Sequence, residues 1–375
     1  MKISGSHESE HNRNQPTVPT IVILIVAWLI LVSSPVLAWQ TESAGSVAPP
    51  KRTPLRSPDG ITPETTDAID RGLAYLARTQ DRQGGWTNKE GGYGKYPVAM
   101  TALAGLALLM DGNTTTQGRY APNVDRATTF LVRSLKPNGL LARQEDEARP
   151  MHGHGFALLY LSQVHGMIED PARSQQLSEV ITKAVQLTAK AQSPAGGWIY
   201  TPESRSDEGS VTITQVQALR SSRNAGFAVP KSVIDDAMQY LAKSQNSDGG
   251  IRYALNMQGP SRPPITAAAV CCWYNAGEYD NPLAKLALEY CKQEIKPQSI
   301  VGGHGFYAHL YFSQALFVSS DPLWEEYFRK RRDFLLGMQN PDGSWEGDSV
   351  GDVYGTAVAL IILQLPFQQL PIMQR

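Results

Sequence analysis

The chain has 375 residues, 42% hydrophobic and 18% charged, which is enough apolar material for one large core. A net charge of −1 supplies no basic field, so nucleic acid is excluded as a partner. Three cysteines (Cys271, Cys272 and Cys291) form an odd set in one region and do not make a disulfide framework.

The first element is a targeting segment. Lys2 and Arg13 sit in a polar stretch, and Ile21 to Val32 is an unbroken apolar run of signal-peptide length. Ser33, Ser34 and Pro35 break it, and Val36-Leu37-Ala38 has the small residues signal peptidase needs. Residues 1–38 therefore read as a cleaved signal peptide, with a retained membrane anchor over 21–38 as the alternative. Either reading puts the body outside the cytoplasm, periplasmic or secreted. Residues 39–62, with Pro49, Pro50, Pro54 and Pro58, read as a flexible linker. Thr62-Pro63-Glu64 is an N-cap, a first-turn proline and an early acid, so the folded domain is placed at 63–375.

From there a unit of about fifty residues recurs. Arg71 to Leu76 leads to Gln80 and then Gly84-Gly85-Trp86. The same spacing returns at Gln192 with Gly196-Gly197-Trp198, at Gln245 with Asp248-Gly249-Gly250, and at Gln339 with Gly343-Ser344-Trp345. Two weaker copies carry Leu135 and Ile295 at the glutamine position. Each unit predicts an amphipathic helix, a glycine turn and a second helix that is apolar nearly all round. The second helices are expected over Ala99–Met110, Phe156–Val164, Ile213–Leu219, Ile265–Tyr274, Phe306–Phe317 and Thr356–Leu365. Helices without a polar face belong in a buried inner ring. The sixth is as apolar as the others, which favours closure over an open solenoid.

The Gln…Gly-Gly-Trp string resembles the QW motif of squalene–hopene and oxidosqualene cyclases, and the glycine-rich hairpin resembles the repeat of protein prenyltransferase β subunits. The resemblance covers about residues 64–365. It implies an all-α fold, an (α/α)6 toroid of six hairpins, with a central cavity at the N-terminal ends of the inner helices. It also implies that Gln80, Trp86, Gln192, Trp198, Gln339 and Trp345 are scaffold.

In a closed ring of six, unit 2 faces unit 5. Unit 2 reads His152-Gly153-His154-Gly155-Phe156 and ends in Tyr160-Leu161-Ser162-Gln163. Unit 5 reads Gly303-His304-Gly305-Phe306-Tyr307-Ala308-His309 and ends in Tyr311-Phe312-Ser313-Gln314. Aligning the Gly-Phe strings pairs His154 with His304 across the cavity as candidate acid and base. His152, Tyr160, Tyr307, His309, Tyr311 and Asp207 are candidate ligand-binding residues, and closing the turns by bonding carbonyls is the plainer role for the histidines. Asp352-Val353-Tyr354-Gly355-Thr356-Ala357 resembles the DxDDTA box of hopene cyclases, which nominates Asp352 and Tyr354. The central aspartate pair, which holds the alkene-protonating acid in that family, is here Tyr354 and Gly355. Asp352 is then expected to cap its helix.

No DDxxD box is present. The prenyltransferase zinc site needs an aspartate two residues before a cysteine, and none stands there. No metal and no cofactor are implied. The reading that follows is an exported toroid that binds, or binds and transforms, an apolar isoprenoid-like ligand. A non-catalytic scaffold and a polysaccharide lyase or hydrolase are the alternatives, the last by fold analogy alone.

Overall fold

The computed structural model describes residues 58–88, 95–143, 147, 149–299 and 303–374. Chain contacts separate Met1–Thr53 from Pro54–Arg375, and every described residue falls in the second unit. The targeting segment and most of the linker lie outside the described residues. Among the described residues, no helix is long and apolar enough to cross a membrane.

Twelve α-helices are described, in six hairpins. The first helices are α1 (Pro63–Thr79), α3 (Ala121–Val132), α5 (Pro171–Ala191), α7 (Lys231–Lys243), α9 (Pro282–Glu294) and α11 (Trp324–Met338). The second are α2 (Pro97–Met110), α4 (Pro150–Val164), α6 (Gly209–Asn224), α8 (Pro263–Asn275), α10 (Gly305–Val318) and α12 (Asp352–Gln364). Each expected second helix is present, extended at its N-terminal end. Proline in the first turn starts most of these helices, because its missing N–H is one the helix leaves unpaired anyway.

Each even-numbered helix packs on the next, and α12 packs on α2, so the inner helices close a ring. Every residue of α2 is buried, and the apolar residues of the other inner helices are almost all closed to water. The odd-numbered helices form the outer layer. Their heptad-like apolar stripes face inward while charged residues face solvent. The fold is an (α/α)6 toroid.

Thr62 caps α1 through a reciprocal pair with Thr65: Thr65 N donates to the Thr62 hydroxyl at 3.3 Å, and Thr62 N to the Thr65 hydroxyl at 3.4 Å. Thr62→Ala is expected to cost ~1 kcal/mol, read as a lower urea midpoint at unchanged slope. An unchanged midpoint would show that neighbouring packing alone starts the helix.

Four glutamines stitch the outer layer by one rule. Gln80 Nε2 donates to Gly84 O at 2.8 Å and to Asn123 O on α3 at 2.9 Å. Gln192 does the same to Gly196 O and Val233 O on α7, both at 2.8 Å. Gln245 reaches Gly249 O at 2.8 Å and Leu283 O on α9 at 2.9 Å. Gln339 reaches Gly343 O at 3.0 Å and Ala68 O on α1 at 2.9 Å, which repeats the stitch across the closure from unit 6 to unit 1. The turn glycines must be glycine for two reasons. Gly343 has φ +88°, and a Cβ there would stand 2.5 Å from Arg71 O. Trp86, Trp198 and Trp345 donate their indole N–H to the carbonyls of Leu76, Thr188 and Leu335 at 2.7 to 2.9 Å. These residues are braces, as the resemblance implies.

Candidate functional site

The inner helices begin on one face of the ring, and the residues there make its mouth. Tyr96, Arg149, His152, Tyr200, Ser210, Tyr253, Tyr307 and Asp352 are partly exposed on or beside the helix starts. Two contact chains connect them. The Arg149 guanidinium lies 4.4 Å over the Tyr200 ring, His152 is 5.9 Å from the same ring, and the Tyr200 and Tyr253 hydroxyls are hydrogen-bonded. On the other side, Tyr307 reaches from α10 to Ser210 O on α6 at 3.4 Å and meets Tyr311 edge-on at 4.7 Å. Tyr354 stands 6.5 Å from Phe306. The rim is therefore rich in aromatic rings, interspersed with Arg149, His152 and Asp352, and Arg262 and His304 are exposed at the N-caps of α8 and α10.

Below the rim the ring is full. Tyr160, Phe306, Tyr311 and Phe312 are each less than 3% exposed, as are Leu103, Leu158 and Leu360. The described inner-helix side chains pack against one another in one apolar core.

Burial governs the titration of the mouth. Desolvation, aided by the Arg149 charge, drops His152 to about 4, so its imidazole is neutral at physiological pH. Burial also pushes the Tyr307 and Tyr354 phenols well above their ordinary range. Glu208, 1% exposed, caps α6 by accepting from Ser210 N at 3.0 Å and Val211 N at 2.9 Å, yet desolvation outweighs these bonds and raises its carboxyl. Asp348 accepts from Phe306 N at 3.3 Å at the start of α10, and burial raises it too. Neither residue was singled out as a leading candidate by sequence. Both precede inner helices of other repeats, and that position was the available signal.

The predicted histidine pair is rearranged. His304 is exposed at the N-cap of α10. His154 is fully buried: its Nδ1 accepts from Leu141 N at 3.1 Å and its Nε2 bonds the Thr188 hydroxyl at 2.9 Å. Its structural counterpart is His309, also fully buried, with Nδ1 at 2.6 Å from the Tyr327 hydroxyl and Nε2 at 2.8 Å from Ser299 O. His154 and His309 are each the fifth residue of their helix. In four other units a threonine stands at or next to that place and accepts from the turn: Thr101 from Trp86 N, Thr212 from Trp198 N, Thr266 from Ile251 N and Thr356 from Trp345 N, at 2.8 to 3.0 Å. A pairing of His154 with His304 across an open cavity is corrected by this geometry. Imidazoles closed to solvent, with both nitrogens engaged, meet no ligand in this conformation.

The remaining candidates sort by burial. Tyr160 is a core residue whose hydroxyl bonds Thr128 at 2.9 Å and Val124 O at 3.2 Å. Tyr311 lies beneath the rim and meets it only through Tyr307. Asp207 accepts from Leu255 N at 2.9 Å beside a 520 Å³ surface cleft lined by Arg205, Ser206 and Asn256. Asp352 does not cap α12 through its side chain; Gly351, with φ +110°, occupies the N-cap and Asp352 follows in the first turn, where it complements the helix dipole.

The place of the missing acid is closed. A Cβ at Gly355 would lie 2.3 Å from Trp345 O and 2.4 Å from Gly347 N. The last aspartate of a DxDD box has no room there. Tyr354, at the position of the central aspartate, is a phenol held protonated and far too weak an acid to protonate an alkene. The prenyltransferase zinc site does not fit either. Cys271, Cys272 and Cys291 are buried thiols pushed up by desolvation, and among the described residues no group of three or more His, Cys, Asp or Glu could hold a metal.

No family model matches the chain. Two drimenyl diphosphate synthases are similar to it. That of Streptomyces showdoensis is 27% identical over 193 residues, covering 52% of this chain and 33% of the enzyme. That of Streptantibioticus cattleyicolor is 28% identical over 228 residues, covering 58% and 39%. The chain thus spans little more than a third of the length of these relatives. Among solved structures, the type II terpene cyclase MstE from Scytonema in complex with geranylgeranyl dihydroxybenzoate aligns with a TM-score of 0.59 at 16% identity, over 82% of this chain and 98% of that one. The α-1,6-mannanase GH76A of Salegentibacter aligns equally well, at 0.59, with 8% identity over 80% and 98%. The fold is that of the terpenoid cyclase-like α/α toroid superfamily, and the mannanase shows that this fold by itself does not specify a chemistry.

Proposed function

We propose that the toroid binds an apolar, isoprenoid-like ligand at its aromatic mouth and does not start cyclisation by protonation. The observation that carries this reading is the rim of Tyr96, Tyr200, Tyr253 and Tyr307, partly exposed where the inner helices begin. Aromatic faces accept unsaturated hydrocarbon chains, and a neutral His152 adds no charge to that surface. Support comes from the MstE complex, whose ligand carries a geranylgeranyl chain. The filled ring beneath the rim keeps the bound chain shallow. Secretion or membrane anchoring through residues 21–38 belongs to the same proposal, and N-terminal sequencing of exported protein should begin at Trp39 if the segment is cleaved.

The filled ring also favours a second reading, a non-catalytic scaffold. One experiment separates the two. The chain is purified without detergent and subjected to native mass spectrometry and organic extraction, then titrated with geranylgeranyl dihydroxybenzoate by intrinsic fluorescence. Ligand binding predicts a co-purifying apolar molecule, or saturable quenching that weakens at least about tenfold in Tyr307→Ala and Tyr200→Ala. Neither extractable ligand nor quenching would leave the scaffold standing.

A further inference from the structure

We propose that the ring contains two acid-release seams, between units 2 and 3 and between units 5 and 6, each held shut by a neutral histidine. The inference is independent of the ligand reading. The four glutamine stitches join unit 1 to 2, 3 to 4, 4 to 5 and 6 to 1. Units 2 and 5 carry Leu135 and Ile295 at that position, so the two remaining seams lack the stitch. These are the units whose inner-helix threonine is replaced by histidine. The longer side chain reaches further: His154 bonds Thr188 on α5, the outer helix of unit 3, and His309 bonds Tyr327 on α11, the outer helix of unit 6. Each histidine therefore supplies a crossing bond that its own unit's glutamine does not, and at the second seam Arg331 on α11 adds bonds to Pro297 O at 3.3 Å and Ser299 O at 3.4 Å.

Both seams also carry a surface cleft. A cleft of 310 Å³ lies between α3 and α5, lined by Thr128, Val132, Arg133, Arg173 and Leu177. Another of 370 Å³ lies between α9 and the segment leading to α11, lined by Leu288, Lys292, Ser320 and Asp321. Ion pairs span both: Arg173 with Asp125 at 2.6 Å, and Lys292 with Asp321 at 2.8 Å.

Protonation is incompatible with the bonds as built at His154, whereas at His309 both nitrogens can donate, to the Tyr327 hydroxyl and to Ser299 O, and the obstacle is the neighbouring Arg331 charge. His154 Nδ1 is an acceptor of Leu141 N–H, so a proton there sets one N–H against another. Charged or titratable groups near α4 are Arg149 at its N-cap, His152 on its first turn, Glu147 against Gly153 and Tyr160 further along; burial is the main cause that holds His154 down to about 4. His309 faces Arg331 and Tyr327 on α11, with Asp348 beyond Arg331 and Cys291 beyond Tyr327. Burial first, then the Arg331 charge, holds His309 at about 3. Both folded values lie below the ordinary 6.5, so the unfolded chain binds more protons in between. The stabilisation is complete above pH 6.5 and is lost as pH falls toward 4.

The test is urea unfolding of the full chain between pH 7.5 and 4.5, for wild type and for His154→Thr, His309→Thr and the double variant. Threonine is the residue the other units use. Wild type should show an unfolding constant rising up to about tenfold per pH unit for each histidine, and the double variant should lose most of that slope. Imidazole nitrogen shifts by NMR on wild type give a second readout should the double variant not fold. Hydrogen exchange at pH 5 should open α5 and α11 ahead of the other outer helices. A double variant with the wild-type slope, either ring titrating near 6.5, or opening spread evenly over all six seams would overturn the proposal.

Discussion

Gly355→Asp is expected to destabilise the toroid by at least ~4 kcal/mol and to restore no acid chemistry. The new Cβ would meet Trp345 O at 2.3 Å and Gly347 Cα at 2.7 Å, both backbone atoms that cannot rotate away. Overpacking of this kind costs ~1–3 kcal/mol, and an unpaired carboxylate placed there adds several more. The contact is reciprocal: a Cβ on Gly347 would stand 2.4 Å from Gly355 Cα. Thermal melts followed by circular dichroism measure the loss. Gly355→Ala, which adds the clash without the charge, separates the two costs and should fall between wild type and aspartate. An aspartate variant as stable as wild type would show that α12 can shift to house the side chain, and the closed-site account would fail. The backbone around residues 345–355 thus leaves no room for an acidic side chain at position 355.

The second large effect is expected at the closure. Gln339→Ala removes the donor from Gly343 O and Ala68 O, and removes the acceptor of Arg71. Each lost bond is worth ~1 kcal/mol net, and a carbonyl left without a donor costs up to ~3, so a total of ~2–4 kcal/mol is expected by urea unfolding. Gln192→Ala removes the same two bonds in mid-ring and should cost a similar amount. The variants should differ in where the ring loosens. Only Gln339→Ala should raise hydrogen exchange in α1, because α1 follows α11 in space but not in sequence. Equal exchange in both variants would mean that apolar packing of α12 on α2 closes the ring without help from the stitch.

The resemblance to terpenoid cyclases rests on scaffold residues. Gln, Gly and Trp at the turns satisfy backbone groups wherever two hairpins meet, whatever the ring holds. A motif that serves closure therefore identifies the fold and carries little about the reaction. The mouth is a different matter: its tyrosines stand beside Glu208 and Asp348, two carboxyls raised by burial.

Much of the architecture was legible in the sequence. Six hairpins, the inner and outer layers and ring closure all follow from local signals: apolar periodicity, glycine turns, and a sixth inner helix with no polar face. Each signal needs only residues within one unit, because burial of a helix face depends on its own 3.6-residue pattern. The histidines were not legible in the same way. The Gly-Phe strings align His154 with His304, but α4 begins four residues before His154 and α10 begins four residues before His309. A side chain's target depends on its phase within the helix and on which outer helix lies opposite, and similar strings on either side of a turn do not specify that phase. Only the tertiary structure placed Thr188 and Tyr327 within reach, closed the space at Gly355 and gathered four tyrosines from separate units at one rim. Those contacts join segments tens to hundreds of residues apart, and their distances are set by the packing of the whole ring.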